Sequence, residues 1–217
     1  MSGKAGSEVK ICGISTPGAL RAAAEAGADF VGFVFFPPSP RALTPVQAGA
    51  LSASLEGGPR RVGLFVDPRD ELIEAVLATT PLDILQLHGC ETPGRVAEIR
   101  ATFGLPVMKA IGIATEADLA QIDAFAGVAD RLLLDAKPPP EATRPGGNAE
   151  AFEWRLARLK AIPVPWLLAG GLTPSNVAEA ITVSGAPGVD VSSGVEGSRG
   201  VKDETLIRDF LRAVRQM

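Results

Sequence analysis

The chain has a single histidine, His88, and only two cysteines, Cys12 and Cys90. So small and dispersed a set does not make a zinc site, and no metal is expected. Any histidine-dependent proton transfer would have to run through His88. Two cysteines are also too few for a disulfide scaffold, and no N-terminal segment joins a basic region to an apolar core. The longest aromatic-aliphatic stretch, Phe30 to Phe36, is far too short to cross a bilayer as a helix. The expectation is therefore a cytoplasmic protein with no membrane role. Basic charge is scarce as well: 21 Lys and Arg stand against 25 Asp and Glu, for a net charge of −4. That balance offers nucleic acid no broad basic surface, so a phosphorylated small molecule would have to meet a local site.

Apolar residues, in contrast, are plentiful. At 217 residues and 46% hydrophobic the chain can bury one sizeable core, and a single domain over 1–217 is expected, with Met1 to Glu8 as a small polar tail. Short β-branched or leucine-rich runs recur near residues 9, 29, 61, 83, 106, 131, 164 and 188, with a helical pattern after each. Helix starts are marked by Thr44-Pro45, Thr92-Pro93 and Thr173-Pro174, where a hydroxyl caps and proline opens the first turn. A last helix carries the apolar stripe Leu206, Ile207, Phe210, Leu211 and Val214. Strands alternating with helices predict a parallel sheet with right-handed crossovers, and eight such units favour closure into a (β/α)8 barrel, the TIM-barrel class of α/β fold. The Pro/Gly-rich stretch Pro138 to Gly147 after the sixth strand has the length of a lid over the active face.

Two of these strands end in reactive side chains. Val9-Lys10-Ile11-Cys12-Gly13-Ile14 offers a thiol and Arg131-Leu132-Leu133-Leu134-Asp135-Ala136-Lys137 a carboxyl group. A parallel strand projects such a group from its C-terminal end, and this pair can serve as base and acid in an isomerisation that needs neither metal nor cofactor. A working thiol must reach a substantial thiolate fraction, which calls for a cation such as Lys10, two residues earlier on the same face, or an oriented amide. A working acid needs burial to raise its pKa. Cys12 could instead be a buried small hydrophobe, and Asp135 could cap a loop or pair with Lys137. Cys90 follows His88-Gly89 on the same face and is read as non-catalytic.

The ordered strings Lys10-Ile11-Cys12-Gly13-Ile14, Gly32-Phe33-Val34-Phe35 with Ser39-Pro40-Arg41, Gln86-Leu87-His88-Gly89, Leu134-Asp135, Leu168-Ala169-Gly170-Gly171-Leu172 and Asp190-Val191-Ser192-Ser193-Gly194-Val195-Glu196 run through most of the chain. Together they resemble the phosphoribosylanthranilate isomerase family of tryptophan biosynthesis, across about residues 9 to 214. One departure is Gly146 to Trp154, where many members carry a third glycine and a Gly-Lys-Thr segment before Phe-Asp-Trp.

The resemblance implies an Amadori rearrangement of an N-(5-phosphoribosyl)anthranilate to its aminoketose. Asp135 would be the acid and Cys12 the base. Lys10, Arg41, His88 and Asp190 would contact substrate, with Arg41 gripping the anthranilate carboxylate in bidentate fashion. Phosphate would lie between Gly170-Gly171 and Ser192-Ser193-Gly194, where such barrels commonly hold it. His88 and Asp190 also admit purely structural readings. Rival readings are a Schiff-base aldolase using Lys10, Lys109 or Lys137, a sugar-phosphate isomerase of histidine biosynthesis with two strand-end aspartates, and a non-catalytic binding barrel. A monomer or a homodimer is expected.

Overall fold

A computed structural model describes residues 6–137 and 152–217. Eight strands close into a barrel in chain order: β1 (Glu8–Cys12), β2 (Phe30–Val34), β3 (Arg60–Phe65), β4 (Ile84–Leu87), β5 (Val107–Ile113), β6 (Arg131–Ala136), β7 (Trp166–Leu168) and β8 (Gly188–Val191). All eight pairings are parallel, and β8 pairs back onto β1. The expected (β/α)8 architecture is thus present.

Alternation along each strand sorts residues to the two faces of the barrel wall. On β6, Arg131, Leu133 and Asp135 share one face and Leu132 and Leu134 the other. The inward side chains form layers. Phe30, Val62, Ile84, Met108, Ala110, Leu133, Leu167 and Ala169 make a closed apolar plug, separate from the larger cluster that packs sheet against helices. Below the plug, Arg131 pairs with Glu8 at 2.6 Å and stacks its guanidinium over Phe30. Polar groups above the plug are thereby confined to the C-terminal rim.

The outer helices are α1 (Pro17–Glu25), α2 (Pro45–Ala53), α3 (Asp70–Leu77), α4 (Pro93–Phe103), α5 (Gln121–Ala126), α6 (Val177–Ser184) and α7 (Glu204–Arg215). Thr44 and Thr92 cap α2 and α4 as expected, each hydroxyl accepting the N–H three residues on. The α7 stripe also holds, with Ile207, Phe210, Leu211 and Val214 buried and Leu206 half-buried.

Three expectations need correction. Glu8 is the first residue of β1 and not part of a tail, because its carboxylate closes the barrel floor against Arg131. Thr173-Pro174 does not open α6, which starts at Val177. Asn176 accepts the Thr173 N–H and donates to the Gly171 carbonyl, so these residues form a turn that pins the β7 loop. Nor does an α-helix follow every strand: among the described residues, β6 is followed only by a 3₁₀ turn, Trp154–Arg158. The lid proposed for residues 138–147 lies outside the described residues.

Candidate active site

Cys12 ends β1, only 5% exposed, against Val34 and Leu64. Register places Lys10 beside Asp190 of β8, and the Lys10 Nζ donates to the Asp190 carboxylate at 2.9 Å. Gly32 is the neighbour of Cys12 on β2. A Cβ there would lie 3.1 Å from the Cys12 sulfur and 3.3 Å from the Lys10 nitrogen, so the absence of a side chain lets thiol and ammonium crowd over this spot. The cation that a reactive thiol requires is therefore present. Its effect is nonetheless outweighed. Burial pushes the Cys12 thiol up and Asp190 adds to it, against the opposing pull of Lys10 and Lys202. Burial also penalises the Lys10 ammonium, yet Asp190 and Cys12 more than compensate and keep its pKa above the ordinary value. Lys10 therefore flanks the Cys12 sulfur without bringing the thiol below its ordinary range.

A second cluster surrounds Asp135 at the end of β6. One carboxylate oxygen, Oδ1, accepts the N–H of Ala136 at 2.8 Å, and Oδ2 lies 3.2 Å from His88 Nε2. The other ring nitrogen, Nδ1, is 3.0 Å from the Gln86 side-chain amide nitrogen. The pairing of Asp135 with Lys137 does not form: Lys137 reaches Asp118, in the turn after β5, at 3.0 Å.

Arg41 is brought to the rim but not left open. Its Nε and Nη2 donate to Glu196 at 2.5 and 3.0 Å, and it is only 4% exposed, draped across Gly13. The bidentate edge that the sequence offered to a carboxylate ligand is occupied by Glu196. Glu196 opens β9 (Glu196–Ser198), which pairs antiparallel with β10 (Val201–Lys202). Lys202, also buried, donates to Glu196 at 2.9 Å and to the Ser192 carbonyl at 2.8 Å, and the Ser192 hydroxyl donates to the Cys12 carbonyl. Burial raises the Glu196 carboxyl, but Arg41, Lys202 and the Gly200 N–H overcome it and hold the group down to about 2. Lys202 is pushed down by burial despite Glu196.

Sequence reasoning missed Glu196, Lys202 and Gln86 as site residues. Glu196 stood in a quoted string and carried the signal. Lys202, in a two-residue strand, carried none.

The β7 loop supplies Gly170 (φ 88°) and Gly171 (φ 63°), left-handed conformations that glycine adopts freely. A Cβ on Gly170 would strike Ala136 at 2.8 Å and lie 3.2 Å from Asp135 Oδ1. A Cβ on Gly194, in the 3₁₀ turn Ser193–Val195 after β8, would fall 1.8 Å from the Leu172 carbonyl. The two loops therefore meet backbone to backbone. Cys90 is exposed on the neighbouring β4 loop, its N–H donating to Asp67. Among the lysines considered as nucleophiles, Lys109 is buried against Glu91 at 2.7 Å and Lys10 against Asp190.

Among the described residues no group of three or more His, Cys, Asp or Glu could hold a metal ion, and no helix is long and apolar enough to cross a membrane. Residues 9–213 match the family model described as N-(5'phosphoribosyl)anthranilate (PRA) isomerase. The chain is 58% identical over 203 residues to the N-(5'-phosphoribosyl)anthranilate isomerase of Paracoccus denitrificans, covering 94% of each protein. It resembles the solved structure of phosphoribosyl anthranilate isomerase from Thermotoga maritima with a TM-score of 0.86 and 35% identity, over 97% of this chain and 100% of that one. A phosphoribosyl anthranilate isomerase structure in complex with reduced 1-(o-carboxyphenylamino)-1-deoxyribulose 5-phosphate gives a TM-score of 0.82 at 33% identity, over the same shares.

Proposed function

The chain belongs to the N-(5'-phosphoribosyl)anthranilate isomerase family of tryptophan biosynthesis, and on that premise we propose that Asp135 is the general acid and Cys12 the general base of the rearrangement. The Asp135 carboxyl gives its proton to the furanose ring oxygen. The C1–O bond breaks and the anilino nitrogen lone pair forms the iminium. Cys12, once its thiol has released its proton to solvent, takes the C2 proton as thiolate, and the released electron pair neutralises the iminium to an enolamine. Protonation at C1 and loss of the C2 hydroxyl proton give the aminoketose.

The observation that supports this reading is the placement of a buried thiol flanked by two lysines and a buried carboxyl 3.2 Å from a histidine ring on the rim of one closed barrel. Turnover of N-(5'-phosphoribosyl)anthranilate, followed by the loss of substrate fluorescence, tests it. The Schiff-base rival is disfavoured because the Lys10 ammonium is held in its charged form. The histidine-biosynthesis rival wants an aspartate where β1 carries Cys12. We place the enzyme in the cytoplasm as a single domain, since its substrate is a soluble intermediate.

Arg41 keeps its role in binding, through the part of the guanidinium that Glu196 leaves free. The ring carboxylate does not change charge during the reaction, so Arg41→Ala should raise KM by about 10-fold or more and leave kcat within a few-fold. A large fall in kcat at unchanged KM would assign Arg41 to another step.

Phosphate is proposed to sit between Gly170-Gly171 and Ser192-Ser193-Gly194, with backbone N–H groups as main donors. Inorganic phosphate should inhibit competitively and shift the amide resonances of both loops. Shifts confined to other loops would exclude this placement.

A further inference from the structure

Gln86 is a buried amide with an anomaly: it is fully buried in β4, above Ile84 of the apolar plug, and its Oε1 has no hydrogen-bond partner among the described residues. An apolar side chain would fill the position without that cost. Its amide nitrogen can only donate, and it faces His88 Nδ1 at 3.0 Å. His88 Nδ1 must then accept. The ring proton is consequently on Nε2, which lies 3.2 Å from Asp135 Oδ2.

This arrangement also disfavours the imidazolium, because a second N–H at Nδ1 would confront the amide N–H group. A histidine cation at that distance would favour the ionised carboxylate and deprive Asp135 of the proton it must give to the ring oxygen. A neutral ring facing the carboxyl at 3.2 Å carries no such penalty. We propose that Gln86 is a positioning residue that keeps His88 neutral and protonated on Nε2, so that Asp135 can act as the acid. This rests on the assignment of Asp135 made above. It also removes His88 as an alternative base, since the nitrogen facing Asp135 carries a proton.

Because His88 is the only histidine, labelling the protein with [15N]histidine reads its protonation state without overlap. The wild-type protein near neutral pH should show Nδ1 unprotonated and Nε2 protonated. Gln86→Glu sets an anion opposite Nδ1, and both nitrogens should become protonated with a fall in kcat of about 30-fold or more. Gln86→Met removes the donor and should give a tautomer mixture and a fall of roughly 5-fold, with Tm unchanged or raised because no amide is left unpaired. A purely structural amide would instead lower Tm and leave the histidine spectrum as it was. Protonated Nδ1 in the wild type overturns the proposal, as does near wild-type kcat in Gln86→Glu with a confirmed imidazolium. If Gln86→Glu does not fold, the wild-type spectrum and Gln86→Met still decide. Full activity of Asp135→Asn would reject the acid assignment instead, while the wild-type spectrum separately decides the tautomer.

Discussion

Cys12→Ala and Asp135→Asn should each lower kcat by at least ~10²-fold with the barrel intact, since each deletes one proton transfer. Alanine keeps the contact with Val34 and Leu64 partly filled. Asparagine preserves the shape of Asp135 and an oxygen for the Ala136 N–H, but its amide does not protonate the ring oxygen. Fluorescence turnover with circular dichroism on each variant provides the check, and near wild-type kcat in a folded variant removes that residue from the mechanism. Alkylation gives an independent reading of the thiol. Burial and Asp190 raise Cys12, so in the Cys90→Ser background iodoacetamide should react slowly at neutral pH and accelerate only above the ordinary thiol range. Product should protect it. Fast inactivation near neutral pH would contradict the electrostatics described for the resting site.

Glu196→Ala should produce the largest loss of stability. It withdraws the single carboxylate that Arg41 and Lys202 share and leaves two buried cations side by side. Breaking a buried pair from one side typically costs about 3–5 kcal/mol. For a domain of this size that corresponds to a Tm lower by about 10 °C. The same carboxylate gives stability a pH dependence. Its folded pKa, about 2, lies below the ordinary 4.5, so its contribution is complete above about 4.5 and is lost as pH falls toward 2. Urea unfolding from neutral to acid pH should show this loss in the wild type and a flatter response in Glu196→Ala. A variant with unchanged Tm and an unchanged acid response would mean that the network contributes little. Activity should fall with stability, because Arg41 loses the partner that fixes its orientation across Gly13.

Much of this architecture follows from local pattern. The β-branched and leucine-rich runs of β1 to β8, the capping threonines of α2 and α4, and the α7 stripe each depend on residues within a few positions of one another, which is the range over which local sequence dictates backbone geometry. The strand-end positions of Cys12 and Asp135 were legible for the same reason. Local pattern failed at Thr173-Pro174, where Asn176 took the Thr173 N–H to fix the neighbouring glycine loop.

The state of each side chain at the rim was settled by partners far away in sequence. Lys10 and Asp190 are 180 residues apart, and Arg41 and Glu196 are 155 apart. Barrel closure joins β1 to β8 and so brings the ends of the chain together. Sequence alone therefore determined the fold class, the chemistry offered at the strand ends and the family. Only the tertiary structure decided that Arg41 is already paired, that the thiol is raised rather than lowered, and that Gln86 stands behind His88. Charge pairing and desolvation depend on which groups face each other across the barrel, and that is fixed when the sheet closes.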